Sequence, residues 1–305
     1  MNASPPVWST DELIEDAARS AGIFRDARLA ATTEWPDHYK EARRKFDLLF
    51  KELGDLNPKA HSLVKLADVY KGKLGEAVRY LAGPPISDDD LAVIADVESI
   101  APSKLAGDPK ALAKVYAVIE SVIDPYRFPW IQQKRAPTAQ EREAALIASS
   151  VLLAAQRVAT ERRNDGKTNQ EGQVKDHLRK LGFTEVPAET ITTLVKGPKE
   201  MQFCAECQLG ERKADVVVRL HDTRLMPIEC KVSNSATNSV KRLNNDAAVK
   251  ARYWVEKFGT SQVVPAAMLS GVFKVLNLQQ AQESKLTLFW AHDLDKLGQF
   301  IQATK

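Results

Sequence analysis

Three charged residues, Asp215, Glu229 and Lys231, interrupt a stretch of sequence that otherwise has the pattern of a β-hairpin. Glu229 and Lys231 are two residues apart, so on a strand both side chains point to one face and Cys230 points to the other. Asp215 opens the first strand, and pairing about the turn would bring its carboxylate near Glu229. We expect the three charged side chains to meet at one end of a sheet.

Two carboxylates and a lysine in this arrangement are typical of a divalent-cation site for phosphodiester hydrolysis. Asp215 and Glu229 would supply the oxygen ligands that Mg²⁺ prefers, and the backbone carbonyl of Cys230 could be a further ligand. Lys231 is a point charge that could orient the attacking water and balance the charge that builds on the phosphate. The alternative interpretation is three unrelated charges on a solvated strand face.

Two apolar runs and a turn define the hairpin that carries these residues. Residues 216–220 form the first run, 221–223 are turn formers, and 225–232 form the second run. Four further runs have the composition of strands: 191–195, 202–207, 263–269 and 286–290. The last two are apolar enough to be central strands of a mixed sheet.

The first half of the chain has a different character. Residues 1–163 show helical periodicity with caps and stops, but no strand signal and no internal repeat. A basic turn over 162–168 is expected to lead into an amphipathic helix over 169–181. We therefore predict an all-helical N-terminal domain over 1–163, followed by an α+β or α/β domain over 164–305.

The charged triplet resembles the PD-(D/E)xK motif of nucleases, with Ala214 in place of the proline that usually precedes the aspartate. Four stretches resemble the XamI-type branch of type II restriction endonucleases: 232–246, 254–259, 263–273 and 289–293. The resemblance covers roughly residue 162 to the C-terminus. It implies a restriction-endonuclease-like core, with a mixed sheet flanked by helices, that cleaves double-stranded DNA at a short palindrome with Mg²⁺.

The resemblance also implies a role for Glu171 and for two partners. Nuclease cores of this type often carry an active-site glutamate on the helix before the motif hairpin, and Glu171 matches that position as a ligand of metal or water. The alternative is a structural role, in which the carboxylate of Glu171 lies in the first turn of a helix and interacts favourably with the positive end of the helix dipole.

Cleavage of both strands of a palindrome implies a homodimer, and a restriction enzyme implies a cognate DNA methyltransferase.

The segment that follows Lys231 is the expected DNA-binding surface. Residues 233–245 are rich in Ser and Asn and are predicted to form a polar loop, and Asp246 is predicted to cap a helix through residue 258. Asn and Arg read base edges, whereas Ser, Thr and Lys bind phosphates. The residues expected to contact DNA are Ser233, Asn234, Ser235, Asn238, Ser239, Lys241, Arg242, Asn244, Asn245, Lys250, Arg252 and Lys257. A solvated loop of turn formers is the alternative.

Composition supports this division of the chain. The net charge is +3, with 23 Lys and Arg against 24 Asp and Glu over residues 1–163, and 20 against 16 over 164–305. The positive excess therefore lies in the half that would bind phosphates.

The N-terminus has no signal-peptide pattern and no apolar run is long enough to span a bilayer, so a cytoplasmic location without membrane contact is expected.

Other chemistries lack sequence support. The chain has no P-loop, dinucleotide fingerprint, nucleophile elbow or zinc-protease motif. Cys204 and Cys207 are expected to be reduced residues of an apolar strand rather than a disulfide or a zinc site. Two other functions remain open: a repair or structure-specific nuclease with the same chemistry but no sequence preference, and a non-catalytic DNA-binding protein on a nuclease scaffold.

Overall fold

The computed structural model describes residues 3–30, 32–56 and 63–305, apart from the side chains at 63, 64 and 162–169. Contacts within the chain divide it into two compact units. We call Met1–Ala31 together with Arg162–Lys305 the sheet unit, and Thr32–Glu161 the helical unit.

Helices fill the first part of the chain, and strands alternate with helices in the second part. In chain order, the α-helices are α1 (Thr10–Ala30), α2 (Trp35–Glu52), α3 (Leu63–Lys71), α4 (Gly75–Arg79), α5 (Asp88–Ile94), α6 (Pro102–Leu105), α7 (Pro109–Val122), α8 (Pro129–Gln132), α9 (Ala139–Lys180), α10 (Ala236–Ser239), α11 (Ala248–Phe258), α12 (Val275–Glu283) and α13 (Leu294–Ala303). The strands are β1 (Thr184–Glu185), β2 (Gln202–Ala205), β3 (Gln208–Leu209), β4 (Arg212–Lys213), β5 (Val216–Arg219), β6 (Leu225–Ser233), β7 (Ala266–Gly271) and β8 (Thr287–Trp290). Short 3₁₀ turns occupy Gly54–Leu56 and Leu194–Lys196, and Val240–Ala247 forms a π-helix between α10 and α11.

The helical unit is built around an aromatic core. Phe46, Leu49 and Phe50 lie three and four residues apart on α2, and all three side chains are fully buried. The Phe128 ring packs edge-to-face against the rings of Phe50 and Trp130. In the described part of this unit, regular structure is helical apart from one isolated bridge between Ala82 and Ile123.

The sheet unit contains a mixed six-stranded sheet in the order β1-β2-β5-β6-β7-β8, and a separate ribbon of β3 and β4. Strands β2, β5 and β6 are antiparallel neighbours, whereas β6, β7 and β8 run parallel. The predicted mixed sheet is confirmed. Strands β6 and β7 are buried along almost their whole length, because a central parallel strand is covered on both faces.

The motif hairpin forms as predicted. Val216 pairs with Ile228 and Arg219 pairs with Leu225, and residues 220–224 form the turn. The β5–β6 ladder ends at Val216, while β6 continues alongside β7 as far as Ser233. Asp215 therefore stands where the antiparallel pairing stops and one side of β6 is no longer covered by a strand.

Helix α9 is longer than predicted. The sequence indicated a basic turn over 162–168 and a new helix over 169–181, but the backbone is helical without interruption from Ala139 to Lys180. Turn-forming residues such as Asn, Asp and Gly cost a helix about 1 kcal/mol or less each, so they weaken it without breaking it. No helix in the described part of the chain is both long and apolar enough to cross a membrane.

Helix α1 packs in the sheet unit, whereas the sequence grouped it with the helical half. The Trp8 indole, just before α1, donates to the Leu288 carbonyl at 2.6 Å, and the Ser20 hydroxyl accepts from the Gly271 amide at 2.8 Å. The buried carboxylate of Asp16 contacts His292 Nε2 at 3.1 Å and Lys296 Nζ at 2.9 Å. As limits of independently folding domains, 1–163 and 164–305 stay predictions.

The structure before the hairpin differs from the sequence-based expectations in two places. Residues 191–195 are not a strand: Ile191 makes one isolated bridge to Leu209, and a 3₁₀ turn follows. Cys204 and Cys207 are joined by a disulfide, although the sequence favoured reduced thiols. Glu206 adopts a left-handed backbone conformation, with φ of 50°, and this tight turn brings the two cysteines together.

Candidate active site

The end of the motif hairpin brings Asp215 and Glu229 together. Asp215 Oδ2 accepts a hydrogen bond of 2.7 Å from the Cys230 amide, which no strand covers on that side. In an extended strand the N–H and C=O of one residue point the same way, so the Cys230 carbonyl is also directed towards the Asp215 side. This orientation agrees with the predicted use of that carbonyl as a ligand, which stays a prediction.

Glu229 is the most deeply buried charged group of the site. Its side chain has 0 % exposure, and Oε2 accepts from Lys231 Nζ at 2.7 Å and from Lys250 Nζ at 2.8 Å. Oε1 is buried and has no hydrogen-bond partner among the described residues. Burial raises the pKa of this carboxyl, and Asp215 adds to the rise, while Lys231 and Lys250 oppose it.

Lys231 bridges two carboxylates. Its Nζ also contacts Asp246 Oδ2 at 2.7 Å, and its side chain is only 10 % exposed. Burial acts to lower the pKa of Lys231, but Glu229 and Asp246 outweigh it and raise that pKa. The lysine therefore stays an ammonium ion, as a role in balancing phosphate charge requires.

Glu171 lies near the same cluster. Burial raises the pKa of the Cys230 thiol, and the charges of Asp215, Glu171 and Glu229 raise it further, so all three carboxylates act on one sulfur atom. The neighbouring Gln170 anchors this part of α9, because its Nε2 donates to the Met268 carbonyl of β7 at 2.9 Å. Glu171 is far from the start of α9, so the alternative of a first-turn dipole contact is wrong.

The segment after β6 is helical, although a polar loop was predicted over 233–245. Ser235 caps α10 by accepting from the Asn238 amide, and the chain continues through the π-helix into α11. Leu243, Ala247 and Ala251 point into the core, which makes this segment an amphipathic helix rather than a loop. Asp246 lies inside the π-helix and is therefore not the predicted cap.

Several residues expected to bind DNA make hydrogen bonds within the protein. Ser233 and Ser239 are fully buried. The Ser233 hydroxyl donates to the Ser235 carbonyl. The Ser239 hydroxyl donates to the Ala236 carbonyl and accepts from the Asn277 side chain. Both hydroxyls are thus buried and bonded within the protein, and their predicted contact with DNA stays a prediction. The Asn238 amide donates to Asn234 Oδ1, and the Asn244 amide donates to Gln280.

The exposed residues of the set remain candidates for contact with DNA. Lys241, Arg242 and Asn245 are exposed or partly exposed on the π-helix. Arg252 contacts the Ser284 hydroxyl and Lys257 contacts the Tyr253 hydroxyl, and both side chains are exposed on α11. DNA contact by these five residues stays a prediction.

The sequence missed two members of the site, Asp246 and Lys250. Lys250 was assigned to a phosphate. Its Nζ donates to Glu229 Oε2 at 2.8 Å and to the Lys213 carbonyl at 2.9 Å. Asp246 holds Lys231 and lies 3.9 Å from Lys250. Their spacing of four residues on one helix face was the available signal, because such residues project in the same direction.

The charges of the cluster bear on whether it could hold a metal ion. In the described part of the chain, no group of three or more His, Cys, Asp or Glu side chains is arranged as a metal-binding cluster. Asp215, Glu171 and Glu229, however, lie near one another around Cys230. Oε1 of Glu229 is a buried acceptor to which no described residue donates. These residues fit a divalent cation bound by oxygen.

Comparisons with known proteins identify the family of the chain. The sequence model of the XamI restriction endonuclease family matches residues 61–290. Type II restriction enzyme XamI from Xanthomonas campestris pv. amaranthicola is 70% identical over 269 residues, which cover 88% of this chain and 98% of that enzyme.

A solved structure gives only a weak match. The crystal structure of protein VC1899 from Vibrio cholerae aligns with 79% of this chain and 57% of its own, at 15% identity and a TM-score of 0.28. A similarity at that level carries no argument about the fold. The family match and the sequence identity to XamI show that the chain belongs to the XamI family of type II restriction endonucleases.

Proposed function

We propose that this protein hydrolyses double-stranded DNA at a short palindromic site with Mg²⁺, through a PD-(D/E)xK site formed by Asp215, Glu229 and Lys231. The observation that carries the proposal is the meeting of these residues at the end of the hairpin: Asp215 binds the Cys230 amide, Lys231 binds Oε2 of Glu229, and Oε1 of Glu229 is buried without a partner among the described residues. A bound divalent ion would supply an activated water and neutralise phosphate charge. The family relationship supports DNA as the substrate.

Each side chain has a defined task in this proposal. Asp215 and Glu229, with the Cys230 carbonyl, would hold the ion, and Glu171 would be a further ligand of the ion or its water. Lys231 donates to the attacking water or to a phosphate oxygen. Asp246 fixes the Lys231 ammonium through the contact at 2.7 Å, so the lysine needs little rearrangement before reaction.

The direct test is incubation of the protein with plasmid DNA and Mg²⁺, followed by mapping of the cut ends. The proposal expects discrete fragments with ends at one short palindrome, and no cleavage when a chelator removes the ion. Cleavage without sequence preference would favour the repair or structure-specific nuclease. DNA binding without cleavage under any divalent ion would favour the non-catalytic protein.

Arg242 is the exposed side chain of the π-helix that we expect to read a base. We expect Arg242→Ala to weaken binding to the cleavable duplex by about 1–3 kcal/mol, because a bidentate contact to a base edge is lost, and to weaken binding to a scrambled duplex less. Arg252→Ala serves as the comparison: a phosphate contact should be lost equally on both duplexes, and the salt slope should fall by about one unit. Titrations of each variant on the two duplexes, with Ca²⁺ in place of Mg²⁺ to prevent cleavage, would measure these affinities. Equal losses for Arg242→Ala would assign it to the backbone instead.

The protein is expected to act as a homodimer. Two identical sites related by a two-fold axis can cut the two strands of a palindrome in the same way. Light scattering with and without a cleavable duplex should give twice the mass of the chain. A monomer under both conditions would contradict this part of the proposal.

The biological setting follows from the same proposal. An enzyme that cuts short DNA sites has to spare the DNA of its own cell, so a cognate DNA methyltransferase is its expected functional partner. The cytoplasm, where that DNA lies, is the expected location.

A further inference from the structure

Lys250 belongs to the site, yet the proposed chemistry gives it no task. Its Nζ lies 2.8 Å from Glu229 Oε2 and 2.9 Å from the Lys213 carbonyl. Its side chain is 20 % exposed, whereas that of Glu229 is fully buried. The buried carboxylate is therefore neutralised in part by a residue of α11, outside the motif hairpin.

Glu229 is crowded with positive charge before any ion binds. Oε2 accepts from the ammonium groups of both Lys231 and Lys250, while Oε1 has no partner among the described residues. A divalent ion bound to this carboxylate would be its third cation. Like charges repel strongly in a buried site, where water screens them poorly. One ammonium group should therefore leave when an ion binds.

The contacts indicate which lysine leaves. Lys231 is also bound to Asp246 Oδ2 at 2.7 Å and is 10 % exposed. Lys250 lies 3.9 Å from Asp246, and its other contact is the neutral carbonyl of Lys213. Lys250 is thus held less tightly, and its flexible stem can carry the ammonium into solvent.

We propose that Lys250 and the divalent ion are alternative partners of Glu229. Lys250 neutralises the carboxylate while the ion is absent and leaves it when the ion binds. This inference rests on the proposed function, because it requires Glu229 to be a ligand of the ion. It predicts that Lys250 weakens the binding of the ion, since the ion has to displace it.

The test measures ion binding by the whole protein without DNA. Mn²⁺ can replace Mg²⁺, because free Mn²⁺ is quantified by electron paramagnetic resonance. We expect Lys250→Met, which keeps the aliphatic stem, to bind Mn²⁺ about tenfold more tightly than the unmodified protein, because a competing state is removed. Lys296→Met is the matched control: Lys296 Nζ also binds a buried carboxylate, that of Asp16 at 2.9 Å, but outside the site. Its Mn²⁺ affinity should not change.

Glu229→Gln separates this inference from the proposed function. If Glu229→Gln binds Mn²⁺ as well as the unmodified protein, Glu229 is not a ligand and the proposed metal site fails. If binding requires Glu229 but Lys250→Met binds with unchanged or weaker affinity, the competition proposed here is wrong and the metal site stands. Lys250→Gln is a second neutral variant that keeps a donor for the Lys213 carbonyl, and the same increase is expected.

The unmodified protein provides an independent measurement. Labelling of lysines by an amine-reactive reagent can be followed residue by residue by mass spectrometry. Saturating Mn²⁺ should increase the labelling of Lys250 severalfold, because its ammonium is released, and should leave Lys296 unchanged. Constant labelling of Lys250 under conditions in which Mn²⁺ binds would overturn the proposal.

Discussion

Replacement of Asp215 by Asn, or of Glu229 by Gln, is expected to remove DNA cleavage and to leave the protein folded. Each change keeps the size of the side chain but removes one of the charges assigned to the ion. The side-chain oxygen of the introduced asparagine would still accept from the Cys230 amide, so the end of the hairpin should keep its geometry. A metal ion contributes several kcal/mol to stabilising the transition state, so we expect the rate to fall by about a thousandfold or more.

The measurement is the single-turnover rate on a cleavable duplex, with thermal melting and DNA binding without metal as checks of the fold. Asp222→Asn is the matched control. Asp222 lies at the turn of the same hairpin, is 10 % exposed and pairs with Arg224 at 2.6 Å, but it is at the opposite end from the site. Its rate should be unchanged. A variant of Asp215 or Glu229 that cuts at the original rate would remove that residue from the site.

Lys231→Met is expected to slow cleavage by about a hundredfold to a thousandfold, because a positioned donor that stabilises charge in the transition state is lost. Binding of the ion should persist, since the carboxylates remain. Lys231→Arg should recover little activity, because a planar guanidinium does not fit the two contacts of a compact ammonium.

The same single-turnover assay, together with Mn²⁺ binding, would measure this effect. Lys296→Met again controls for the loss of a lysine from a buried ion pair. If Lys231→Met cuts as fast as the unmodified protein, its ammonium serves only to neutralise Glu229 and Asp246.

The hairpin was predictable because its signals are local. Two apolar runs and a turn define the strands, and their pairing about the turn places Asp215 close to Glu229. The contact between Glu229 and Lys231 follows from their separation of two residues. The placement of these residues thus follows from short-range geometry, while their tasks in catalysis stay predictions.

The second side of the site was not predictable in the same way. Residues 233–245 are rich in turn formers, yet Leu243, Ala247 and Trp254 bury an apolar face that makes the segment helical. The contact of Lys250 with Glu229 depends on how this helix packs against the sheet. Nothing within a short window of sequence encodes that packing.

Helix α9 shows a similar limit. The residues around Gly166 have turn propensity, and a break was expected there, but the backbone remains helical on both sides. Local propensity is a weak preference that the buried contacts of Val158, Val174 and Leu178 can override. The expected position of Glu171 near the hairpin agrees with its effect on the Cys230 thiol, while its role as a ligand stays a prediction.

The π-helix makes the site sensitive to the length of the chain as well as to the identity of its residues. Val240–Ala247 lies between Ser239, which is held by Asn277, and Lys250 on α11. Loss of one residue would let this wide turn close as an ordinary α turn, which changes the direction of Lys250 relative to Ser239. Substitutions on the exposed face of this segment should leave the position of Lys250 unchanged, even where they weaken DNA binding. A change in the number of residues should move Lys250 relative to Glu229, so the length of the segment is itself under constraint.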